Sequence, residues 1–128
     1  MRRIIRVVLA EESMIGARQP HFDCLPHAIC PLAQQFAACV YLNTLAHGGE
    51  LEIWSVPPRT ALEISGIDSG TDLRRMLPPS LLAPVSNGVL ILFTARRPHC
   101  VRPFVEGERT SSHAFAGLTD AGRLVLWS

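Results

Sequence analysis

Lysine is absent from this 128-residue chain, and all twelve of its basic residues are arginines. Chemistry that needs a lysine side chain, such as Schiff-base formation, is therefore excluded from the chain. The four cysteines form no CxxC pair, so the sequence carries no zinc-binding pattern. No apolar run reaches the length of a membrane span, and the basic N-terminus lacks the apolar region of a signal peptide. We therefore expect a cytoplasmic protein without membrane contact.

Positive and negative residues are nearly balanced in number. The formal net charge is only +1, which gives no general attraction to nucleic acid or to an anionic membrane surface. Apolar residues make up 48% of the chain and no segment is of low complexity, so a folded core is expected. The length suits one domain that covers residues 1–128.

The most apolar stretch near the start runs from Ile4 to Leu9 and is rich in β-branched residues. A short run that is apolar on both faces predicts a strand buried in the middle of a parallel sheet. It ends in two carboxylates, Glu11 and Glu12, and a helix-capping residue, Ser13. In open α/β sheets, ligands bind at the carboxyl ends of such strands.

The remaining pattern alternates strands with helical stretches. Leu32 to Ala46, which follows Pro31 and has a wide apolar face, is the clearest predicted helix. The segment Phe22–Ile29 is either a short edge strand or a turn into that helix. The other predicted elements are strands at Leu51–Val56, Val89–Ala95, His113–Leu118 and Leu124–Trp127, a short helix at Thr71–Leu77, and a hairpin turn at 119–122. This pattern predicts a single α/β domain whose mostly parallel central sheet is flanked by helices and closes with a β-hairpin.

Polar side chains at the predicted strand ends form a first candidate site. Glu11 and Glu12 follow the first strand, Ser55 lies near the end of Leu51–Val56, and Thr94 lies near the end of Val89–Ala95. If these strands are parallel neighbours, the four side chains surround one crevice. The two carboxylates would favour a hard divalent cation such as magnesium.

These residues resemble a receiver domain of two-component response regulators, which has a flavodoxin-like fold. Residues 5–14, Ile-Arg-Val-Val-Leu-Ala-Glu-Glu-Ser-Met, look like its opening strand and acidic magnesium-binding pair. The resemblance places Ser55 where the family has its phosphorylated aspartate, and Thr94 at the switch hydroxyl position. Ser55 cannot form an acyl phosphate, and the family's lysine is missing. The resemblance therefore implies a non-enzymatic pseudo-receiver that contacts a protein partner or a second copy through the region Thr94–Leu118.

A cysteine–histidine pair offers an alternative function. Cys30 precedes the predicted helix at Pro31, whose N-terminus would stabilise a thiolate, and Cys24 is the other candidate nucleophile. His113 would act as the base and Asp120 as its orienting group. A cysteine before a helix, followed by a histidine at a later strand, resembles the arrangement in papain-like cysteine hydrolases and deamidases.

Two smaller features of the sequence are an arginine pair and the spacing of the histidines. Arg96 and Arg97 follow a predicted central strand and are candidates for binding a phosphate group. The histidines His21, His27 and His47 share no metal-ligand spacing with one another or with the cysteines. No cofactor beyond a magnesium ion is expected.

Overall fold

The computed structural model describes residues 5–16, 19–25, 28–45, 47–68 and 70–128. Ile4, His27 and Ala46, which enter the predictions above, lie outside these ranges. In chain order the elements are β1 Ile5–Leu9, α1 Ala10–Gly16, β2 Leu32–Asn43, β3 Leu51–Ile53, α2 Ala61–Ser65, α3 Leu73–Met76, β4 Leu81–Ala83, β5 Leu90–Thr94, β6 His99–Val101, β7 Glu108–Thr119 and β8 Leu124–Trp127.

The strands form two sheets in which every strand pair is antiparallel. The larger sheet has five strands in the order β1-β7-β2-β5, with β8 paired to the second half of β7. The smaller sheet has three strands in the order β4-β3-β6. An isolated antiparallel bridge joins His21 to His99, the first residue of β6. The segment around His21 therefore extends the smaller sheet.

The predicted parallel α/β sheet flanked by helices is wrong. Its largest error is the helix expected at Leu32–Ala46, which is the twelve-residue strand β2. Alanine, glutamine and leucine favour a helix in isolation, but β2 lies between β5 and β7 and pairs with both. Burial alternates along it, with Gln35, Ala37, Cys39 and Tyr41 buried. Tertiary pairing has therefore overridden local helix propensity.

The strands expected from β-branched runs are present, but their places in the sheet differ from the prediction. β1 and β5 lie at opposite edges of the larger sheet rather than at its centre. Their outward side chains are exposed, as at Val7 (50%) and Leu92 (61%). The last strand, Leu124–Trp127, and the hairpin turn before it are where the sequence placed them. The single-domain organisation stays a prediction.

The core lies between the inner faces of the two sheets. Cys39 and Tyr41 project from β2, while Leu51 and Cys100 contribute from the smaller sheet; all four are buried. The sheets meet at the rings of Phe93 and His99, whose centroids are 4.8 Å apart. Within the described ranges, no helix has the length and apolar character needed to cross a membrane.

Candidate metal centre

Three potential metal ligands come together where the segment around His21 pairs with β6: exposed His21, half-buried Asp23 and buried His99. One ligand atom from each lies within 4.8 Å of the others. His21 and His99 exchange two backbone hydrogen bonds of 3.0 Å, and the N–H of Asp23 donates to the carbonyl of Ala95 at 3.0 Å. Residues two apart on an extended chain share a face, and directly paired residues share it too. This backbone pairing directs all three side chains to one point.

Hydrogen bonds at the far side of each imidazole leave its Nε2 available for a metal. His99 Nδ1 lies 2.8 Å from the carbonyl oxygen of Arg97, and His21 Nδ1 lies 3.3 Å from that of Gln19. A carbonyl only accepts, so we assign the Nδ1 proton as the donor in both rings. Such backbone partners orient metal-ligating histidines in known sites.

The electrostatics of the cluster also suit a cation. His99 Nε2 lies 3.1 Å from Asp23 Oδ2, a contact that needs a proton or a metal ion between the two atoms. Burial, helped by the charge of His99, lowers the pKa of His21, so this imidazole is neutral at neutral pH. Burial by itself raises the pKa of Asp23, but the hydrogen bond and charge of His99 outweigh it and hold that pKa below its usual value. The cluster thus offers a neutral imidazole at His21 and an ionised carboxylate at Asp23 as potential ligands.

Gln35 fixes the segment that carries Asp23. Its side-chain amide donates to the carbonyl of Asp23 at 3.0 Å, and its carbonyl oxygen accepts from the N–H of Leu25 at 2.8 Å. Gln35 is 2% exposed and belongs to β2. The carboxylate ligand is therefore held to the larger sheet as well as to the smaller one.

A buried set of hydrogen-bond donors lies elsewhere in the same interior. Arg109 of β7 is 3% exposed, and its Nε and Nη2 have no hydrogen-bond partner among the described residues. Its guanidinium carbon lies 4.7 Å from the ring centroid of Tyr41, whose buried hydroxyl has no hydrogen-bond partner in the described part of the chain either. Burial raises the pKa of Tyr41, so the hydroxyl keeps its proton and can donate. Because burying an unpaired cation is costly, this set fits an anionic ligand.

The nearby thiol–imidazole pair is not an activated nucleophile. Cys39 Sγ lies 3.2 Å from His113 Nδ1, and His113 Nε2 lies 2.8 Å from the Ser111 hydroxyl. Burial raises the pKa of Cys39 to about 11. Burial and then the charge of Arg109 lower the pKa of His113. The thiol is therefore protonated and the imidazole neutral, the opposite of a thiolate–imidazolium pair.

The residues predicted for a cysteine nucleophile site are separated in the structure. Cys24 and Cys30 are half-buried, and within the described ranges neither makes a hydrogen bond with His113. Asp120 is exposed in the turn between β7 and β8. The thiol that does contact His113 is Cys39, which the sequence analysis did not consider.

The predicted strand-end residues lie on separate elements. Glu11 and Glu12 are exposed in α1, Ser55 is exposed after β3, and Thr94 is half-buried at the end of β5. Because β1 and β5 are opposite edges of the larger sheet, the parallel arrangement that would have gathered them does not exist. Magnesium binding by the acidic pair stays a prediction without that support.

The two arginines proposed for phosphate binding flank the metal cluster in sequence. Arg96 is 6% exposed, and its Nε is buried without a hydrogen-bond partner in the described part of the chain. Arg97 is half-buried and supplies the carbonyl that orients His99. Phosphate binding by the pair stays a prediction.

Spacings between two histidines, or between a histidine and a cysteine, do not reveal the metal cluster, because its third ligand is a carboxylate. The available signal was His21-Phe22-Asp23, an imidazole and a carboxylate two residues apart on an extended segment. A later strand beginning with a histidine, as at His99, would have completed the pattern.

No protein-family profile matches this chain. No curated protein matches it either. Among solved structures, the chain is similar to an N-substituted L-amino acid dioxygenase from Burkholderia ambifaria AMMD in complex with α-ketoglutarate, with TM-score 0.67 and 14% identity over 98% of this chain and 51% of that one. A second structure of such an enzyme from the same organism gives TM-score 0.66 and 14% identity over 97% of this chain and 51% of that one. The chain thus spans about half the length of these structures.

These likenesses establish the fold, a jelly-roll-like pair of antiparallel sheets, and overturn the resemblance to a receiver domain. The pseudo-receiver function is therefore wrong, and so is the cysteine hydrolase or deamidase alternative. Contact with a protein partner or a second copy stays a prediction.

Proposed function

We propose that this chain carries the metal and cosubstrate sites of an Fe(II)- and α-ketoglutarate-dependent dioxygenase. The observation that carries the proposal is the convergence of His21, Asp23 and His99, since two histidines and one carboxylate with open positions are typical of non-haem Fe(II) oxygenases. The fold shared with a dioxygenase that binds α-ketoglutarate supports it.

The residues present fit the metal. Two imidazole Nε2 atoms and one carboxylate oxygen supply three ligands, and the described residues supply no further His, Cys, Asp or Glu ligand to this cluster. Positions would remain for a bidentate 2-oxo acid and for dioxygen. When bound, Fe(II) would let dioxygen oxidise α-ketoglutarate to succinate and carbon dioxide, with the second oxygen atom inserted into a substrate C–H bond.

The buried donors of Arg109 and Tyr41 would hold the carboxylate of α-ketoglutarate that lies farther from the metal. Two free N–H groups of a guanidinium match the two oxygens of a carboxylate, and the Tyr41 hydroxyl adds a third donor. Binding there would neutralise a cation that is otherwise buried without a partner. It would also fix the oxo-acid end toward the triad and exclude water from the interior.

Metal titration tests the proposal directly. Purified metal-free protein is titrated with Co(II), a spectroscopic substitute for Fe(II), and anaerobically with Fe(II) in the presence and absence of α-ketoglutarate. We expect one metal per chain, a visible absorption change on adding α-ketoglutarate, and loss of both in His99→Gln. The matched control His47→Gln changes an exposed histidine outside the triad and should bind as the wild type does. Equal metal binding by wild type and His99→Gln would refute the metal centre.

A further inference from the structure

A groove lined by the residues that follow Asp23 and Ala95 in the chain has no role in the proposal so far. It has a volume of about 830 Å³, and its lining includes Cys24, Leu32, Ala61, Leu62, Arg96 and Asp120. We call it the Arg96 groove. We propose that it binds the substrate of the enzyme, an aliphatic carboxylate whose carboxyl group pairs with Arg96. This inference rests on the proposed function for its catalytic meaning, although not for the binding itself.

The position of the groove suits a substrate site. Cys24 directly follows the ligand Asp23, and Arg96 directly follows Ala95, whose carbonyl accepts the Asp23 N–H. The groove therefore includes one residue from each of the two segments that pair at the metal centre, while none of the three ligands lines it. A volume of this size lies within the usual range for small-molecule sites.

Arg96 is the observation that points to an anionic ligand. The residue is 6% exposed, its Nε is buried, and no described residue accepts a hydrogen bond from its guanidinium or forms an ion pair with it. Asp120, which also lines the groove, makes no ion pair with it. A buried guanidinium N–H without a hydrogen-bond partner is costly unless a ligand supplies the acceptor. A carboxylate matches its planar donors.

The Arg96 site is separate from the Arg109 site. Ala95 donates to the carbonyl of Gln35, which places Arg96 beside the start of β2. Arg109 stacks on Tyr41, six residues farther along that strand. The two arginines therefore have different surroundings, because Arg96 lines the groove whereas Arg109 lies against the Tyr41 ring. With Arg109 assigned to the cosubstrate, Arg96 is left for a second anion.

The rest of the lining indicates the chemistry of that anion. The walls are largely aliphatic and alanyl, with Leu32 from β2, and Ala61, Leu62 and Ile64 from α2. The rim at α2 is held by a capping box, in which Thr60 Oγ1 accepts from the Glu63 N–H at 3.2 Å and Glu63 accepts from the Thr60 N–H at 2.7 Å. A molecule with an aliphatic chain and one carboxyl group would fill the groove and satisfy Arg96.

Cys24 offers a reporter within the groove itself. In metal-free protein without α-ketoglutarate, we would measure by peptide mass spectrometry the rates at which iodoacetate and iodoacetamide alkylate Cys24. Cys30, half-buried and outside the lining, serves as the internal reference. We divide the rate with iodoacetate by the rate with iodoacetamide at Cys24 and normalise this ratio to the same ratio at Cys30. The normalised ratio should fall about tenfold in Arg96→Gln, because the variant loses one charged hydrogen-bond donor to the iodoacetate carboxylate. Arg96→Lys should keep most of the preference.

The matched control is Arg75→Gln, which removes an 87% exposed arginine outside the lining of the groove and should leave the ratio unchanged. In wild-type protein, 4-methylpentanoate should protect Cys24 from iodoacetamide, whereas 4-methylpentanamide should not. An unchanged ratio in folded Arg96→Gln, or equal protection by the acid and the amide, would overturn the proposal. If Arg96→Gln does not fold, the acid–amide comparison in the wild type decides alone.

The outcome is independent of the metal titration, because neither metal nor cosubstrate is present. If the protein does not bind metal but Cys24 shows the Arg96-dependent preference for iodoacetate, the dioxygenase proposal is refuted and the carboxylate site is supported. If the protein binds metal and α-ketoglutarate but Cys24 shows no Arg96-dependent preference for iodoacetate, the dioxygenase proposal is supported and this substrate class is refuted.

Discussion

Replacing Arg109 with methionine should change stability and cosubstrate binding in opposite directions. Arg109 is 3% exposed, and its Nε and Nη2 have no hydrogen-bond partner among the described residues. An unpaired buried ion costs several kcal/mol, from which about 1–2 kcal/mol of cation–π attraction to Tyr41 must be subtracted. Methionine has a similar shape and no charge. We therefore expect the metal-free variant to be more stable by about 1–2 kcal/mol.

The same substitution should weaken α-ketoglutarate binding severely. Each hydrogen bond to a charged group contributes about 1.5–3 kcal/mol, and Arg109 offers two free donors. Their loss corresponds to at least about 3 kcal/mol, or roughly a hundredfold weaker binding. Tyr41 keeps its hydroxyl, so the remaining affinity should fall further in the double variant Arg109→Met, Tyr41→Phe.

Urea unfolding of the metal-free protein gives the first quantity, and calorimetric titration of the Co(II)-loaded protein with α-ketoglutarate gives the second. Arg102→Met is the matched control, because that arginine is exposed and should change neither quantity by much. A variant at Arg109 that is less stable than wild type and binds α-ketoglutarate normally would show that the arginine is a structural residue and refute the reasoning.

Two further predictions concern buried ionisable groups outside the metal centre. Arg74 and Ser80 donate to Glu52, and the Arg74 hydrogen bonds, opposed by burial, lower the pKa of Glu52 from 4.5 to about 2. Because Arg74 is 44% exposed, we expect Arg74→Ala to lower the free energy of unfolding by only about 1–2 kcal/mol at neutral pH. The folded pKa is the lower one, so this contribution is complete above pH 4.5 and disappears as the pH falls toward 2. Burial raises the pKa of Cys39 to about 11 and that of Cys100 to about 12, so iodoacetamide at about pH 8 should label neither in the native state, while it labels Cys24.

Each of these two predictions has a control and an outcome that would contradict it. Arg75→Ala removes an 87% exposed arginine and should change stability by less than about 0.5 kcal/mol. A deficit in Arg74→Ala that persists in acid would contradict the ion-pair explanation. Native labelling of Cys39 as fast as that of Cys24 would contradict its burial, and denatured protein should label at all four cysteines.

Local composition was sufficient to predict several strands but not their arrangement. The run Leu124–Trp127 and the turn before it are a strand and a hairpin turn because their residue types allow little else. The alanines and glutamines of Leu32–Asn43 favour a helix, whereas pairing with two neighbouring strands satisfies the backbone of this segment as β2. An apolar run does not reveal whether its sheet is parallel or antiparallel, and that choice decided which strand ends meet.

For the candidate site, too, some features follow from the sequence and others only from the tertiary structure. The sequence by itself determined only that His21 and Asp23 project from one face if their segment is extended, because alternate residues of an extended segment do so. Only the tertiary structure decided that His99, rather than any other histidine, joins them, since the backbone bridge between His21 and His99 spans residues remote in sequence. The same applies to Arg109 and Arg96, whose significance lies in being buried without partners. Burial and the absence of a counter-ion depend on which strands pair, which local sequence does not specify.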